Sequence, residues 1–328
     1  MKPVQSFPRQ LRDDGSLQHL ITLEGLDRDL IERLLKRAQQ FIRPLGAPPM
    51  RSSSLGGVTV ANLFGEPSTR TRGSFELAAR RLGADVVNLE VHLSSRSKGE
   101  TVLDTVYTLQ AMQIDVMVMR EAEPGVPGLV ARHVDPHVSV LSAGEAHLSH
   151  PTQGLLDALT IRQRKGGFGA LVVAIVGDVA HSRVARSTAQ ALQILGVGEL
   201  RIVAPAGLMP PAGEFAGARR FEDIDSGIRG ADVVMMLRIQ KERIADTSAL
   251  DDAAYFRQFG LTPERLKLAK SDAIVMHPGP MNRGIEIDSS VADGPQSVIR
   301  QQVTNGVAVR MAVLEAVTEG LRRLRQRA

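Results

Sequence analysis

A short segment of this chain concentrates hydroxyl and guanidinium groups. The run Pro67-Ser68-Thr69-Arg70-Thr71-Arg72 follows apolar residues that end at Phe64, and it precedes a helical pattern that begins near Ser74. A helix N-terminus offers unpaired N–H groups and the positive end of the helix dipole, and hydroxyls and planar guanidinium groups donate to phosphate oxygens. The segment therefore predicts a phosphate site. The alternative is a hydroxyl cap flanked by solvated arginines.

Histidine and glutamine occur three residues apart in His150-Pro151-Thr152-Gln153. Proline suits the first turn of a helix, so His150 should cap that helix and Gln153 should lie on the same edge. The two side chains are suited to polarising a carbonyl and holding an amide. An ordinary capping histidine is the alternative interpretation.

Three further segments each follow an apolar run. Gly177-Asp178-Val179-Ala180-His181-Ser182-Arg183 lacks the full G-x-G-x-x-G pattern, so it favours a carboxylate contact by Arg183 over a dinucleotide site. Arg238 follows residues 232–237, at the carboxyl end of a predicted strand, where ligands bind in open α/β sheets. His277-Pro278-Gly279-Pro280 should form a rigid turn with fixed carbonyl directions, and His277 is equally consistent with a structural role. The alternative for each arginine is a solvated side chain.

Short apolar runs alternate with amphipathic stretches along most of the chain, which predicts βαβ units with parallel sheets. The predicted strands are residues 58–64, 85–91, 115–119, 138–141, 171–176, 200–204, 232–237 and 273–276, in two groups of four, and the predicted helices include 74–82, 101–112, 151–164 and 183–195. A break between the groups is expected near residues 165–167. The last segment places one apolar stripe at helical spacing, which should pack on the first domain: Val303, Val307, Met311, Leu314, Val317, Leu321 and Leu324.

Composition narrows the class of protein. A length of 328 residues predicts two domains, and 43% hydrophobic with 23% charged residues is typical of a globular chain. The absence of cysteine excludes a thiolate nucleophile, a disulfide framework and a zinc–thiolate site. A net charge of +4 with 3% aromatic residues argues against a nucleic-acid partner and suits a few small anions in a pocket. No apolar run reaches the roughly 20 residues of a membrane span, and no secretory signal precedes the first domain, so a cytoplasmic protein is expected.

The motifs together resemble the aspartate/ornithine carbamoyltransferase family. They occur in order within residues 18–325 as F-x-x-P-S-T-R-T-R-x-S-F-E from Phe64, S-x-x-x-K-G-E-T from Ser94, V-M-R ending at Arg120, H-P-T-Q, G-D-x-x-x-S-R, R-x-Q-x-E-R and H-P-x-P. The resemblance implies an α/β fold of two doubly wound parallel-sheet domains. Residues 1–150 with 303–328 would form a carbamoyl-phosphate domain that begins with an extended arm over 1–18, and residues 151–302 an aspartate domain.

The resemblance also implies roles for individual residues. The phosphate of carbamoyl phosphate would be held by Ser68, Thr69, Arg70 and Thr71, and the carbamoyl oxygen by Arg120, His150 and Thr71. The amide nitrogen would face Gln153 and the carbonyls of Gly279 and Pro280. L-Aspartate would be bound by Arg183, Arg238, Gln240 and Lys98, of which Lys98, together with Ser94, comes from an adjacent subunit. Arg70, Thr71, Arg120 and His150 would be the catalytic residues.

The implied reaction moves a carbamoyl group from carbamoyl phosphate to the amine of L-aspartate, giving N-carbamoyl-L-aspartate and phosphate in pyrimidine (UMP) biosynthesis. It requires no cofactor and no metal. The implied assembly is a homotrimer or several trimers, and the long arm resembles members that bind a dihydroorotase or dihydroorotase-like chain. Transfer to ornithine, a non-catalytic anion-binding scaffold and a nicotinamide-dependent oxidoreductase are the alternatives. The chain departs from many members at Ala143-Gly144-Glu145-Ala146, Ala180 and Gly279.

Overall fold

The computed structural model describes residues 9–44, 46–89, 101–240 and 251–325. The chain divides into two compact units, unit 1 (Met1–Thr152 with Asn305–Ala328) and unit 2 (Gln153–Thr304). Each unit is built on its own parallel sheet, with four strands in unit 1 and five in unit 2. The predicted fold class, two doubly wound α/β domains, is therefore confirmed.

Unit 1 alternates strands and helices along the chain. Its sheet has the order β2-β1-β3-β4. The two inner strands, β1 and β3, and the edge strand β4 are buried along most of their length, as in a parallel sheet covered on both faces. The elements are α1 (Arg28–Phe41), β1 (Thr59–Phe64), α2 (Thr69–Arg81), β2 (Asp85–Leu89), α3 (Val102–Ala111), β3 (Val116–Glu121), α4 (Val126–His133), β4 (Ser139–Glu145) and the start of α5 (Pro151–Lys165).

Unit 2 repeats the same architecture with the strand order β7-β6-β5-β8-β9. Its central strand β5 pairs with β6 on one side and with β8 on the other. The elements that follow α5 are β5 (Val172–Val176), α6 (Arg183–Ile194), β6 (Glu199–Val203), β7 (Arg219–Phe221), α7 (Ile224–Ile228), β8 (Val233–Met236), α8 (Asp252–Phe259), α9 (Pro263–Leu266), β9 (Ile274–Met276), α10 (Ser289–Ala292) and α11 (Ile299–Arg325).

The fifth strand of unit 2, β7, is missing from the predicted set, so the grouping of strands into four and four is wrong. Two of its three residues are exposed arginines at the edge of the sheet, and no apolar run marks it. The guanidinium groups of Arg201 and Arg219 lie 5.5 and 5.2 Å from the centre of the Phe221 ring. Cation–π contacts therefore accompany this strand where a buried aliphatic run would be expected.

The N-terminal segment is not an extended arm over residues 9–18, although residues 1–8 lie outside the described part of the chain. Leu11 and Leu17 form an antiparallel bridge, and Leu17 is buried. The side-chain oxygen of Gln10 accepts hydrogen bonds from the backbone N–H groups of Ile21 and Thr22 at 2.7 and 3.1 Å. A buried glutamine that satisfies backbone donors fixes this segment as a folded turn, which its charged composition does not indicate.

The last helix, α11, returns to unit 1 as predicted. Met311, Leu314, Val317 and Leu321 are buried, Glu315 pairs with Arg37 of α1 at 2.6 Å, and Arg310 stacks over the Phe75 ring. The predicted stripe is wrong at its first residue, because Val303 is 56% exposed. Within the described residues, no helix is both long and apolar enough to cross a membrane.

His19 links the N-terminal turn to β4 and should make stability depend on pH. Its Nδ1 accepts a hydrogen bond from the Val140 N–H at 3.0 Å, and burial, aided by Arg12, lowers the pKa of His19 to about 4. The unfolded chain binds this proton near pH 6.5, so it holds more protons than the folded chain between about pH 6.5 and 4. Stability should therefore fall as the pH drops through that window, by up to about 3 kcal/mol.

The measurement is thermal unfolding against pH for the wild type and for His19→Asn. The asparagine oxygen can accept the same N–H without titrating, so its curve should be flatter between pH 4 and 6.5. Parallel curves for the two proteins would show that His19 does not cause the dependence.

Candidate functional site

The candidate residues of unit 1 lie where its strand order reverses. β1 and β3 are neighbours in the sheet, but the chain leaves them toward opposite sides, and ligands bind outside the carboxyl ends of strands at such a point. β1 leads into the phosphate segment, and β3 carries Arg120 in register with Phe64. The Gly65 N–H donates to the Arg120 carbonyl at 2.8 Å, which ties the loop after β1 to β3.

The phosphate segment is the N-terminus of α2 itself, because this helix begins at Thr69 and not near Ser74. Ser68 is the N-cap residue, yet its hydroxyl makes no capping hydrogen bond. The capping interpretation therefore does not explain this serine. Ser68, Thr69, Arg70 and Thr71 instead surround the first-turn N–H groups, which have no partner within a helix.

Arg120 is anchored by two groups of unit 1. Its Nη1 donates to the Ala143 carbonyl at 3.1 Å, and its Nε lies 3.3 Å from Oε2 of Glu66. The side chain is only 13% exposed, so the guanidinium is held in one place. Sequence reasoning missed Glu66. The signal that could have identified it is its position directly before the phosphate segment.

His150 precedes α5 and is 4% exposed. The turn before it is closed by the Glu145 N–H, which donates to the Ser149 carbonyl at 2.8 Å, and by the Ser149 hydroxyl, which donates to the Ile21 carbonyl at 2.9 Å. β4 runs four residues beyond its predicted end and is buried throughout. These contacts place His150 at a fixed position after β4.

The turn before His150 contains Ala146 with φ 42°, a left-handed conformation that costs an L-residue about 1–2 kcal/mol. Ala146→Gly should therefore stabilise the protein by about 0.5–1 kcal/mol, since glycine adopts this φ without strain but adds chain entropy to the unfolded state. Thermal unfolding checks the sign. Ala143→Gly, at a buried position in β4, is the matched control and should destabilise; equal losses from both would contradict the strain at Ala146.

The candidate residues of unit 2 lie at its own point of strand reversal, between β5 and β8. Gly177 follows β5 with φ 124°, and a Cβ there would lie 2.8 Å from the Leu237 carbonyl oxygen. Only glycine allows the ends of β5 and β8 to approach this closely. Arg238 leaves the sheet directly after Leu237, and Arg183 begins α6 and is buried.

Asp178 joins the two loops at this point, and sequence reasoning assigned it no role. The carboxylate is fully buried and accepts hydrogen bonds from His181 Nδ1 at 2.7 Å and from the Gln240 backbone N–H at 3.0 Å. The Gln240 amide in turn donates to the His181 carbonyl at 3.0 Å. The loop that carries Arg238 and Gln240 is therefore fastened to the loop that leads to Arg183.

Tyr255 lies beneath this point and is also absent from the predicted set. It is 5% exposed and stacks on Phe259, with ring centres 5.7 Å apart. Burial raises the pKa of Tyr255, and the negative charges of Glu286 and Asp178 raise it further. The hydroxyl therefore stays protonated and neutral near the charges of Glu286 and Asp178.

The His277-Pro278-Gly279-Pro280 turn is organised by its own histidine. Nδ1 of His277 accepts the Gly279 N–H at 2.8 Å, which requires Nε2 to carry the proton that it donates to Glu286 at 3.1 Å. The ring is 1% exposed. His277 thus positions the turn. The peptide bond between Gly279 and Pro280, to which the Gly279 carbonyl belongs, is cis, and the Pro280 carbonyl follows it.

The structure collects the predicted residues in two sets. Unit 1 holds Ser68, Thr69, Arg70, Thr71, Arg120 and His150, and unit 2 holds Gln153, Arg183, Arg238, Gln240, Gly279 and Pro280. Ser94 and Lys98 lie outside the described residues.

The chain is thus a two-domain α/β protein with cationic and hydroxyl groups at the strand-reversal point of each domain, an arrangement suited to small anionic ligands. Residues 18–163 match the model of the aspartate/ornithine carbamoyltransferase carbamoyl-P binding domain, and residues 170–317 match that of the Asp/Orn binding domain. The chain therefore belongs to the aspartate/ornithine carbamoyltransferase family.

Solved structures of aspartate transcarbamoylase and of ornithine carbamoyltransferase are similar to this chain. Aspartate transcarbamoylase from Trypanosoma cruzi, in complex with carbamoyl aspartate and phosphate, is 31% identical with a TM-score of 0.83, and the match covers 96% of this chain and 99% of that one. The same enzyme in complex with carbamoyl phosphate and aspartate is 33% identical with a TM-score of 0.82, and the match covers 92% of this chain and 96% of that one. Ornithine carbamoyltransferase from Thermus thermophilus is 27% identical with a TM-score of 0.81, and the match covers 91% of this chain and 98% of that one.

Proposed function

We propose that this chain is an aspartate carbamoyltransferase, which transfers the carbamoyl group of carbamoyl phosphate to the amine of L-aspartate in pyrimidine (UMP) biosynthesis. The observation that carries the proposal concerns two arginines of unit 2: Arg183 begins the helix after β5, and Arg238 follows the neighbouring strand β8. Asp178 fastens their two loops together. Two guanidinium groups match the two carboxylates of aspartate. Arg183 would pair with the α-carboxylate, and Arg238 with Gln240 would bind the side-chain carboxylate.

Transfer to ornithine fits this set less well. The ammonium group of ornithine would need an acceptor where Arg238 supplies a positive charge, and two cations in one pocket repel. Among the described residues, Asp178 is a carboxylate at this point, but it is fully buried and already accepts from His181 and from Gln240. The charge of unit 2 at the end of β8 therefore favours aspartate.

Carbamoyl phosphate would be bound by the other predicted residues. Its phosphate would lie on the α2 N-terminus, where Ser68, Thr69, Arg70 and Thr71 donate to the oxygens. Arg120 and His150, with Thr71, would donate to the carbamoyl oxygen. Gln153 and the carbonyls of Gly279 and Pro280 would accept from the amide nitrogen.

The proposed chemistry follows from these contacts. The neutral aspartate amine forms a bond to the carbamoyl carbon, and the carbonyl oxygen becomes an oxyanion that positive groups stabilise. The bond from carbon to the phosphate oxygen then breaks, and the phosphate leaves with the proton that the amine loses. Positioning and preorganised positive charge supply most of the rate, and no separate carboxylate base is needed.

The test supplies the purified chain with carbamoyl phosphate and either L-aspartate or L-ornithine. N-carbamoyl-L-aspartate should form with the first, and little citrulline should form with the second. Citrulline as the main product would overturn the proposal in favour of the ornithine reaction. No product from either would favour the non-catalytic scaffold.

We also propose that the active form is a homotrimer or an assembly of trimers, in which Ser94 and Lys98 complete a neighbouring subunit's site. Lys98→Ala trimers and His150→Ala trimers should each be inactive, and subunit exchange between them should restore activity, because some hybrid interfaces pair an intact loop with an intact pocket. Mass measurement verifies the exchange. Confirmed exchange without activity would contradict the shared site.

A partner chain is a further part of the proposal. The stretch before His19 resembles that of members that assemble with a dihydroorotase or a dihydroorotase-like chain. Native mass measurement of this chain, alone and co-expressed with such a chain, should show a heavier complex in the second sample. An unchanged mass would remove this partner.

A further inference from the structure

A buried chain of hydrogen bonds in unit 2 connects Gln153 to the turn that contains Gly279. Gln153 Nε2 donates to Asp157 Oδ1 at 3.0 Å, and Gln302 Nε2 donates to the same oxygen at 2.8 Å. The Thr188 hydroxyl donates to Asp157 Oδ2 at 2.7 Å. Asp157 and Thr188 are fully buried, and the two glutamines are 8% and 3% exposed.

The direction of every bond in this chain is fixed by chemistry. The His277 backbone N–H can only donate, and it donates to Gln302 Oε1 at 3.0 Å. Gln302 must therefore turn its NH₂ group toward Asp157. Both oxygens of Asp157 accept hydrogen bonds, Oδ1 from Gln302 and Oδ2 from Thr188, and Oδ1 also receives the NH₂ group of Gln153 and not its oxygen.

The consequence for Gln153 is a single defined orientation. Its NH₂ group is bound to Asp157, and within the described residues no hydrogen bond reaches its Oε1. The remaining polar atom of this side chain is an acceptor. A glutamine whose amide could flip would present a donor as readily as an acceptor.

We infer that Asp157 is a positioning residue that orients Gln153 as an acceptor and thereby makes the site select an acyl phosphate with an NH₂ group over one with a methyl group. This inference rests on the proposed function, in which Gln153 faces the amide of carbamoyl phosphate. The same carboxylate reaches the His277 turn through Gln302. One buried acid therefore aligns both sets of acceptors, Gln153 Oε1 and the carbonyls of Gly279 and Pro280.

The probes are two stable phosphonates, phosphonoacetamide and acetonylphosphonate, which differ only in NH₂ against CH₃. Equilibrium binding of each, without aspartate, gives the ratio of their Kd values. The wild type should bind the amide about tenfold more tightly or better, since a buried acceptor facing a methyl group loses its hydrogen bond. Asp157→Ala should bring the ratio within about threefold of unity, and Gln153→Met, which removes the acceptor itself, should do the same.

Matched variants separate orientation from stability. Asp157→Asn can still accept both glutamine NH₂ groups on its oxygen while its own NH₂ group faces the Thr188 hydroxyl, so it should keep the wild-type ratio. Thr188→Val removes a hydrogen bond to Asp157 without releasing Gln153, so it should lower the melting temperature and leave the ratio unchanged. Inorganic phosphate should bind all variants equally.

The outcomes distinguish the role of Asp157 from the assignment of the amide site. A wild type without preference for the amide would overturn both the inference and the assigned amide site. A wild type that prefers the amide, with Asp157→Ala keeping that preference, would overturn the inference alone. If Asp157→Ala does not fold, Asp157→Leu decides, because it keeps about the same side-chain volume but accepts no hydrogen bond from Gln153. Its ratio should fall toward unity, and an unchanged ratio would overturn the inference.

Discussion

Arg70→Ala should reduce turnover by about 100- to 1000-fold while leaving the fold intact. Arg70 lies in the first turn of α2, is exposed, and would donate to the phosphate as it gains charge on leaving. Removing one preorganised donor to a developing negative charge typically costs this much. The loss should appear mainly in kcat, because the charge on the phosphate oxygens rises in the transition state.

The matched control is Arg80→Ala, an arginine in the last turn of the same helix that pairs with Glu76 on the surface. It should retain wild-type turnover, since a surface pair contributes little and lies far along α2 from the phosphate segment. Circular dichroism and thermal unfolding establish that both variants fold. Wild-type turnover in a folded Arg70→Ala protein would remove the phosphate assignment.

Arg238→Ala should raise the aspartate concentration needed for half-maximal rate by at least about tenfold and lower turnover. A charge-assisted hydrogen bond to a carboxylate contributes about 1.5–3 kcal/mol, and its removal leaves the substrate carboxylate unpaired. Carbamoyl phosphate should bind nearly as before, because its phosphate is assigned to the α2 N-terminus in unit 1. An aspartate titration and equilibrium binding of phosphonoacetamide on one sample separate the two effects.

Arg257→Ala is the control for this experiment, because Arg257 is 70% exposed on α8 of the same unit. It should change neither ligand. If Arg238→Ala weakened both ligands equally, or changed neither, Arg238 would not be the aspartate anchor. The positive charge of Arg238 would then no longer disfavour ornithine as the substrate.

The fold was predictable where apolar runs mark the strands. Eight strands lie at their expected places, and seven of them are mostly buried, as parallel strands covered on both faces require apolar side chains. The eighth, β2, is an exposed edge strand. β7 could not be found this way, since two of its three residues are exposed arginines and the third, Phe221, contacts guanidinium groups. The turn around Gln10 was equally hidden, because a glutamine that satisfies two backbone N–H groups looks like any other polar residue.

The candidate residues that follow strands could be identified from the sequence, but the residues that hold them in place could not. Arg70, Arg183 and Arg238 follow strands at the positions where an α/β sheet binds anions. Asp178 and Asp157 were assigned no ligand, and each has one partner far along the chain, Gln240 at a separation of 62 residues and Gln302 at 145. Contacts over such separations have no local pattern, so only the folded chain reveals these two acids.

The discontinuity of unit 1 has a consequence for how the protein is made. A ribosome delivers unit 2 as one unbroken stretch, Gln153–Thr304, whereas unit 1 also needs Asn305–Ala328, which emerges afterwards. Met311, Leu314 and Val317 of that stretch are fully buried. Before they arrive, nascent unit 1 exposes the apolar surface that they cover, and such surface is prone to aggregation. The domain begun first is thus finished last, and a chaperone that shields unit 1 during synthesis would act in that interval.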